Sequence, residues 1–511
     1  MAIESGKLHN YRLYVICLLA IGMPNLNLLM SIGIILLLIF WFIGPGVKKR
    51  ISRLTLNNPA TWMAVLFLLH VVWLFNTSDW TYAVKDLRIK LPLVVLALAL
   101  GTIKLSRDDL KKIFVALGVG IFAATLVGYY LYFSDPMVKM DPRSMTPDIS
   151  HIRLSLMIIV FIGGCLAFFR EAETKWKVLS VISVLNACIF LYFLQTFTAL
   201  AVLFGGLGIL LIRQVFIRSG INVRIAVLAS LIAVPVVLFF AGKSYYSSYF
   251  ELSEDALPLM KQTLDGTAYY HYDTLQIENG NYLYANIAKL ELVGAWNERS
   301  LVRIDYDPAK SDALLDRLIR YLTSKGLAKD RLGVASLSDR DISNIEAGFP
   351  AVAYAEKSGM ELRVHTFLHG THLYLTKGTM QGSSFYQRFV YWQIGSNLAR
   401  ENFFAGVGTG DVKQSFKDAY VDYPIFIEPK FRHRAHNQYI TFLVTFGVFG
   451  LVYFLAFLGF LIYRWKNNGL YLFFTIVALV SFLSEDTLET QAGVTFFAFF
   501  VGLFSAASAE D

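Results

Sequence analysis

Histidine is the side chain best suited to moving a proton near neutral pH, and one histidine stands where chemistry at a membrane surface would need it. His436 sits at the junction between a basic segment, KFRHRAHNQ, and a long apolar run. An imidazole with an ordinary pKa of ~6.5 can take a proton there. Arg432 and Arg434 lie beside it, and nearby positive charge favours the neutral ring that a general base needs. The plainer reading is that His436 and Asn437 cap the following helix. Upstream, GVGTGD places Gly406, Gly408 and Gly410 in a glycine-rich turn. Such turns can cradle phosphate through backbone N–H groups. This one matches neither a P-loop nor a dinucleotide fingerprint, and a turn ending a helix is the simpler account.

Cationic residues recur at the edges of apolar runs. Arg153 opens one just after His151 (HIRLSLMII), and Arg388 precedes Trp392 in RFVYW. A guanidinium at membrane depth is costly unless it is paired or used. Snorkelling to the headgroups is the alternative, with more force for Arg88 and Lys90 in DLRIKLP. His365, His369 and His372, separated by three residues and then two, invite a metal reading. That spacing could suit a helix, but their surroundings, with Gly370 and alternating apolar residues, read as strand or turn, and no carboxylate or cysteine cluster joins them. There is no HExxH, nucleophile elbow or nucleotide motif.

These residues need elements to position them. The chain has 511 residues, 56% hydrophobic and 16% charged, against about 25% charged in soluble domains. Membrane embedding accounts for the excess of apolar surface. The net charge of +8 could suggest nucleic acid, but the basic residues cluster between apolar runs, where membrane topology places them. Cys17, Cys165 and Cys188 lie inside apolar segments and read as small core residues, not a disulfide framework. Residues 11–23 resemble a signal-peptide core, yet a second apolar run follows at once, so a first span with a turn at Pro24–Asn25 is expected.

Apolar runs at 11–24, 27–44, 61–75, 91–103, 112–133, 154–169, 178–194, 198–212, 225–241, 438–463, 470–484 and 493–508 predict about 12 spans. With a cytoplasmic N-terminus, the inner loops 45–60, 102–112, 170–177, 213–224 and 464–469 hold 16 Lys and Arg. The short outer loops, 76–90 and 134–153 among them, hold 6. That asymmetry places 242–437 outside. Three regions follow: transmembrane helices over 1–241, a large outer loop over 242–437 and further transmembrane helices over 438–511. Within the loop, 309–325 has helical apolar spacing (Leu314, Leu315, Leu318, Ile319, Leu322), with Gly326 as a stop. Residues 361–376 partly alternate and predict strands. A small α/β insertion over about 250–385 is therefore expected.

Together these motifs resemble the O-antigen ligase and polymerase family. The family pattern of a histidine, ten residues and a glycine fits His436 and Gly447. Its arginine followed by three residues and a leucine fits Arg153, with Met157 in the leucine's place. Its loop arginine fits Arg388, ahead of ENFFAGVGTGD. Its acidic residue in the last outer loop is supplied by SEDTLETQAG, which offers Glu485, Asp486 and Glu489 without choosing among them. The specific motifs lie mostly in 386–500, and the insertion falls outside the common pattern.

The resemblance implies an all-α polytopic integral membrane protein of the bacterial inner membrane, with about 12 transmembrane helices in a GT-C-like arrangement and a periplasmic α/β insertion. It implies inverting transfer without a metal or other cofactor. The donor would be a glycan on undecaprenyl pyrophosphate. The acceptor would be a hydroxyl of lipid A–core, of another lipid-linked glycan, or of an exported protein. His436 would activate the acceptor, while Arg388 and Arg153 would stabilise the departing pyrophosphate. Arg434, Asn437, Arg88, Lys90, Asp411, Glu485, Asp486 and Glu489 are expected to bind substrate. Two readings from other classes remain. A polysaccharide transporter would carry paired broken helices and mid-span charges. A sensor or scaffold would leave His436 dispensable.

Overall fold

Each of the twelve apolar runs forms a helix. In the computed structural model, which describes residues 5–305, 313–357, 359–378, 380, 383–423 and 427–508, they appear as Ser5–Gly22, Asn27–Ile43, Pro59–Val72, Trp80–Ala99, Arg107–Ser134, His151–Phe168, Thr174–Leu194, Phe197–Arg218, Ile221–Phe250, Gln438–Trp465, Gly469–Ser484 and Gln491–Ala507. Among the described residues, seven helices are long and apolar enough to cross a membrane, and Asn27–Ile43, Gly469–Ser484 and Gln491–Ala507 are shorter apolar helices. The chain is a multi-pass membrane protein. Two boundaries differ most from expectation, and one of them is the end of helix Ile221–Phe250, nine residues past 241. The expected outer loop 76–90 is already helical from Trp80, because the Asp79 side chain accepts a hydrogen bond from Tyr82 N at 2.9 Å and so caps the helix. Arg88 and Lys90 therefore lie on a helix.

The chain divides into two compact units. The first comprises 1–130, 143–217 and 384–511. Its centre is helix Gln491–Ala507, in which Phe496, Phe497, Phe499, Phe500 and Phe504 are all buried. A helix apolar on every side must be enclosed on every side. Around it pack Trp80–Ala99, Pro59–Val72, Asn27–Ile43, His151–Phe168 and Gly469–Ser484.

Helix Gln438–Trp465 has a defined start and a break. Asn437 caps it, with Oδ1 accepting from Ile440 N at 3.0 Å. At Gly447 the backbone leaves the helix (φ 65°, ψ −165°), in a region essentially reserved for glycine. The break frees backbone groups that must find partners. Val444 O accepts from Val407 N at 2.8 Å, Thr445 O from Gly408 N at 3.0 Å, and Val448 N donates to Phe403 O at 2.8 Å. The glycine-rich turn is thus docked into the break. A Cβ on Gly406 would lie 2.3 Å from Thr445 O, and one on Gly408 1.9 Å from Asn76 O. Close backbone packing explains these glycines, and the phosphate-cradle reading is set aside.

The second unit comprises 131–142 and 218–383. It holds helix Ile221–Phe250, a two-stranded antiparallel sheet (Asp273–Glu278 with Asn281–Tyr284), and helices Lys289–Arg299, Ala313–Ser324 and Gly359–Lys377. Its core gathers Leu292, Trp296, Leu318, Leu322, Val334 and Ile345. Helix Ala313–Ser324 answers the helix expected over 309–325, of which residues 309–312 lie outside the described residues. It ends before Gly326, whose φ is 66°. The strands expected over 361–376 are instead helix Gly359–Lys377. The partial alternation misled because it ignored the histidines. His365, His369 and His372 fall at i, i+4 and i+7, one helical face, which lies against Tyr249 and Phe250 of helix Ile221–Phe250.

Gly447→Ala should lower the melting temperature of the detergent-solubilised protein sharply. A Cβ there would sit 2.1 Å from Phe404 O, and the backbone strain alone costs about 1–3 kcal/mol. Gly459→Ala, in the same helix with nothing within 4 Å of an added Cβ, should leave melting unchanged. Equal melting of the two variants would refute the glycine-dependent break.

Candidate functional site

The site is organised by the hairpin between helices Gly469–Ser484 and Gln491–Ala507. The first ends at Glu485 in extended backbone, Thr487–Glu489 make a 3-10 turn, and Thr490 caps the second by accepting from Gly493 N. Three carboxylates thus fall within five residues, all nearly buried: Glu485, Asp486 and Glu489. Buried carboxylates are tolerable only when paired and hydrogen-bonded. The cations come from four other segments.

Glu485 bridges two arginines: Oε1 accepts from Arg388 Nη2 at 2.6 Å, and Oε2 from Arg153 Nη1 at 3.1 Å. Arg388 also donates to Ser484 O at 3.0 Å and Ser384 O at 2.9 Å. Asp486 Oδ2 lies 3.4 Å from Arg434 Nε. Glu489 Oε2 lies 2.8 Å from both Arg434 Nη1 and Lys90 Nζ, while its Oε1 accepts from Gln438 Nε2 at 3.1 Å. Gln438 also accepts from Leu488 N at 2.8 Å, clamping the turn from the other side.

His436 completes the group. Its backbone φ is 44°, uncommon for a residue with a side chain and a frequent mark of functional sites. Nδ1 faces the acids, 3.5 Å from Asp486 Oδ1 and 3.7 Å from Glu485 Oε2. These are ion-pair separations, and Nδ1 makes no hydrogen bond among the described residues. Nε2 therefore points away from the acids. Tyr391 and His433 flank the ring at centroid distances of 5.7 and 5.5 Å.

The charge on this ring reverses the expectation from sequence. Arg432 and Arg434 were expected to keep it neutral. Arg434 is instead engaged by Glu489 and Asp486, and Arg432 Nε donates to Ile427 O at 2.9 Å. Burial still works against a charged ring, but Asp486 and then Glu485 outweigh it and raise the pKa to about 9. For Glu485, burial would push the carboxyl up, yet His436, Arg153 and Arg388 hold it at about 2. Asp486 is likewise held far below the usual range, against burial, by His436 and Arg434.

Exposure sorts the residues into two layers. Lys90 (0%) and Arg153 (4%) lie beneath, while Arg388 (18%), Arg434 (22%) and His436 (31%) form a rim open to a ligand. Arg153 is fully engaged, since Nε also reaches Thr490 Oγ1 at 3.4 Å and Nη2 reaches Asp486 O at 3.4 Å. Lys90, expected to bind substrate, is enclosed and bonded to Glu489, Asp86 and Leu488 O, so a substrate cannot touch it. Arg88 is exposed, two residues away on the opposite face of the same helix. Asn437 acts as a cap and donates to Leu483 O at 2.9 Å. Asp411 accepts from Ser78 N at 2.7 Å and Asp79 N at 2.9 Å, and so ties down the glycine-rich turn. Sequence reasoning missed Asp86, Gln438, Tyr391 and Thr490. Only Asp86 left a signal, its i,i+4 spacing from Lys90.

The metal question also changes place. His365, His369 and His372 each have a separate partner: Tyr245 OH at 3.1 Å, Arg320 Nη2 at 3.1 Å and Tyr246 OH at 3.0 Å. Burial lowers the pKa of His365 to about 4 and of His369 to about 3. Among the described residues, the ligand-type cluster is His436, Glu485 and Asp486, with donor atoms within 4.8 Å of one another. Arg153 and Arg388 already neutralise Glu485, so a divalent ion there would face two guanidiniums at close range.

Glu485→Gln should cost about 3–5 kcal/mol, because it removes the carboxylate that pairs with the buried Arg153 guanidinium and with Arg388. The sign with pH follows. The Glu485 carboxyl titrates at about 2 in the folded chain and near ~4.3 unfolded. Its stabilisation is therefore complete above ~pH 5 and is lost as pH falls towards 2. Melting temperature should drop over that window in the parent and less steeply in Glu485→Gln. Parallel curves would contradict the pairing.

Residues 347–455 match the family model described as O-antigen ligase. No curated protein matches the chain. The matched stretch contains Arg388, the glycine-rich turn, Arg434, His436 and Gly447.

Proposed function

We propose that the chain transfers a glycan from undecaprenyl pyrophosphate to a hydroxyl acceptor at the periplasmic face of the inner membrane, with lipid A–core as the acceptor, inversion at the anomeric carbon and no metal. What carries this reading is the rim: a half-exposed imidazole held by two carboxylates, with two partly exposed guanidiniums beside it. As the acceptor oxygen bonds to the anomeric carbon, the bond to the pyrophosphate oxygen breaks and its electron pair leaves with the diphosphate. Arg388 and Arg434 face that growing negative charge. The acceptor proton passes to Nε2 of His436, whose Nδ1 is oriented by Asp486 and Glu485 as in a carboxylate–imidazole pair. Arg153 works from below by holding Glu485 in place.

The raised pKa of His436 favours a second reading, in which the charged ring faces the leaving group. With a pKa of about 9, roughly one ring in a hundred is neutral at pH 7. A base role makes transfer climb with pH up to about 9. A leaving-group role makes it fall above that value. Polymerisation of lipid-linked glycan or transfer to protein would use the same centre with a different acceptor.

Reconstitution in proteoliposomes with undecaprenyl-pyrophosphate-linked glycan, lipid A–core and EDTA tests the proposal. The parent chain should yield glycosylated lipid A–core, and His436→Ala and Arg388→Ala should each lose about 10²-fold or more. Longer lipid-linked chains would indicate a polymerase. Loss of activity with EDTA, or parental rates in both variants, would overturn the mechanism.

A further inference from the structure

Lys90 is the most enclosed charge in the reaction centre, and it does not face the rim. Its Nζ lies 2.8 Å from Glu489 Oε2 and 3.4 Å from Asp86 Oδ1, and it donates to Leu488 O. All three ammonium donors have acceptors. Glu489 Oε2 is shared, since Arg434 Nη1 also lies 2.8 Å from it, while Arg434 Nε reaches Asp486 Oδ2 at 3.4 Å. Asp486 in turn presents Oδ1 to His436 Nδ1 at 3.5 Å. The charges therefore alternate along a continuous line from Lys90 through Glu489, Arg434 and Asp486 to His436. Arg434 sits closer to Glu489 than to Asp486, so it is divided between two carboxylates.

We propose that the buried Lys90–Glu489 pair is a positioning element of the reaction centre: it sets how the Arg434 guanidinium is divided between Glu489 and Asp486, and thereby how firmly Asp486 holds the His436 ring. This rests on the proton-transfer role given to His436 above. The groups facing the ring are Asp486 and Glu485 from the hairpin, Tyr391 from helix Ser384–Glu401, and His433 from its own segment. Arg388 acts on it through Glu485, and Arg153 through both Glu485 and Asp486, whose Oδ1 lies 3.9 Å from Arg153 Nη2. Removing the Lys90 charge leaves Glu489 to draw Arg434 away from Asp486, which then holds the imidazolium more tightly. Removing the Glu489 charge lets Arg434 move onto Asp486, which then holds it less.

The test reads the ring directly, so it does not depend on which glycan is transferred. Full-length protein with ¹³C-labelled histidine, in detergent micelles, is titrated by NMR, and the His436 signal is assigned by its absence from His436→Ala. Lys90→Met should raise the His436 midpoint by about half a pH unit or more, and Glu489→Gln should lower it by a similar amount. The double variant Lys90→Met/Glu489→Gln separates Arg434 sharing from simple long-range charge. Under sharing, Lys90 acts only through Glu489, so the double variant matches Glu489→Gln. Under long-range charge alone the two shifts add, and the double variant lies above Glu489→Gln by the full Lys90→Met shift. If Lys90→Met does not fold, Glu489→Gln and the double variant, which strands no buried charge between these two partners, still decide the matter. An unmoved midpoint in folded variants, or a double variant in which the two single shifts simply add, overturns the proposal. Loss of glycan transfer by the parent chain would overturn the functional reading without touching the NMR result.

Discussion

Three carboxylates within five residues of a tight helical hairpin cannot be buried by their own neighbours. Residues 484–490 contain no cation, and isolated buried carboxylates are prohibitively costly. Compensation must arrive from elsewhere. Helix Trp80–Ala99 brings Lys90, helix His151–Phe168 brings Arg153, helix Ser384–Glu401 brings Arg388, and the segment before Gln438 brings Arg434 and His436. The folding of these five parts of the chain is coupled through one electrostatic demand. Packing around the central phenylalanine-rich helix supplies the bulk of the apolar burial, but it does not specify which helix ends meet. The hairpin acids do.

The spacing between His436 and Gly447 has a mechanical meaning within that arrangement. Asn437 starts the helix and Gly447 breaks it, so the intervening piece is a short rigid strut of about 15 Å. Its start carries the imidazole to the acids, and its broken end receives the glycine-rich turn through Val407 and Gly408. Asp411 then fastens that turn to Ser78 and Asp79 at the head of the Lys90 helix. The strut is thus held at both ends, and the strained His436 backbone is over-determined by its surroundings.

Much of this was legible in the sequence, and the exceptions are instructive. The apolar runs marked the helices because a span must be apolar along its length. His436, Arg388 and Arg153 could be singled out because charges at the ends of apolar segments need a reason, and the acids of SEDTLETQAG through the family resemblance alone. The charge state of His436 could not be read. Its sequence neighbours, Arg432 and Arg434, are cations, while the groups that govern it lie about fifty residues away. The glycine-rich turn is ambiguous for a similar cause: a glycine required by a close approach looks the same as one required by a ligand. The helix Gly359–Lys377 was taken for strands because its buried face is lined by histidines and a glycine, residues that a hydrophobic pattern does not count.

In the proposed mechanism, Arg388, Arg434 and His436 form an anion-facing rim over an acid floor, while Arg153 and Lys90 stay beneath it. A cryo-EM map of the full chain in lipid nanodiscs with undecaprenyl pyrophosphate tests this most directly. Diphosphate density is expected within hydrogen-bond reach of Arg388 and Arg434 and beside the His436 ring, with Glu485 still bridged to Arg153 and Glu489 still bonded to Lys90. Diphosphate bound elsewhere, or reached by Arg153 or Lys90 in place of the rim, would contradict it.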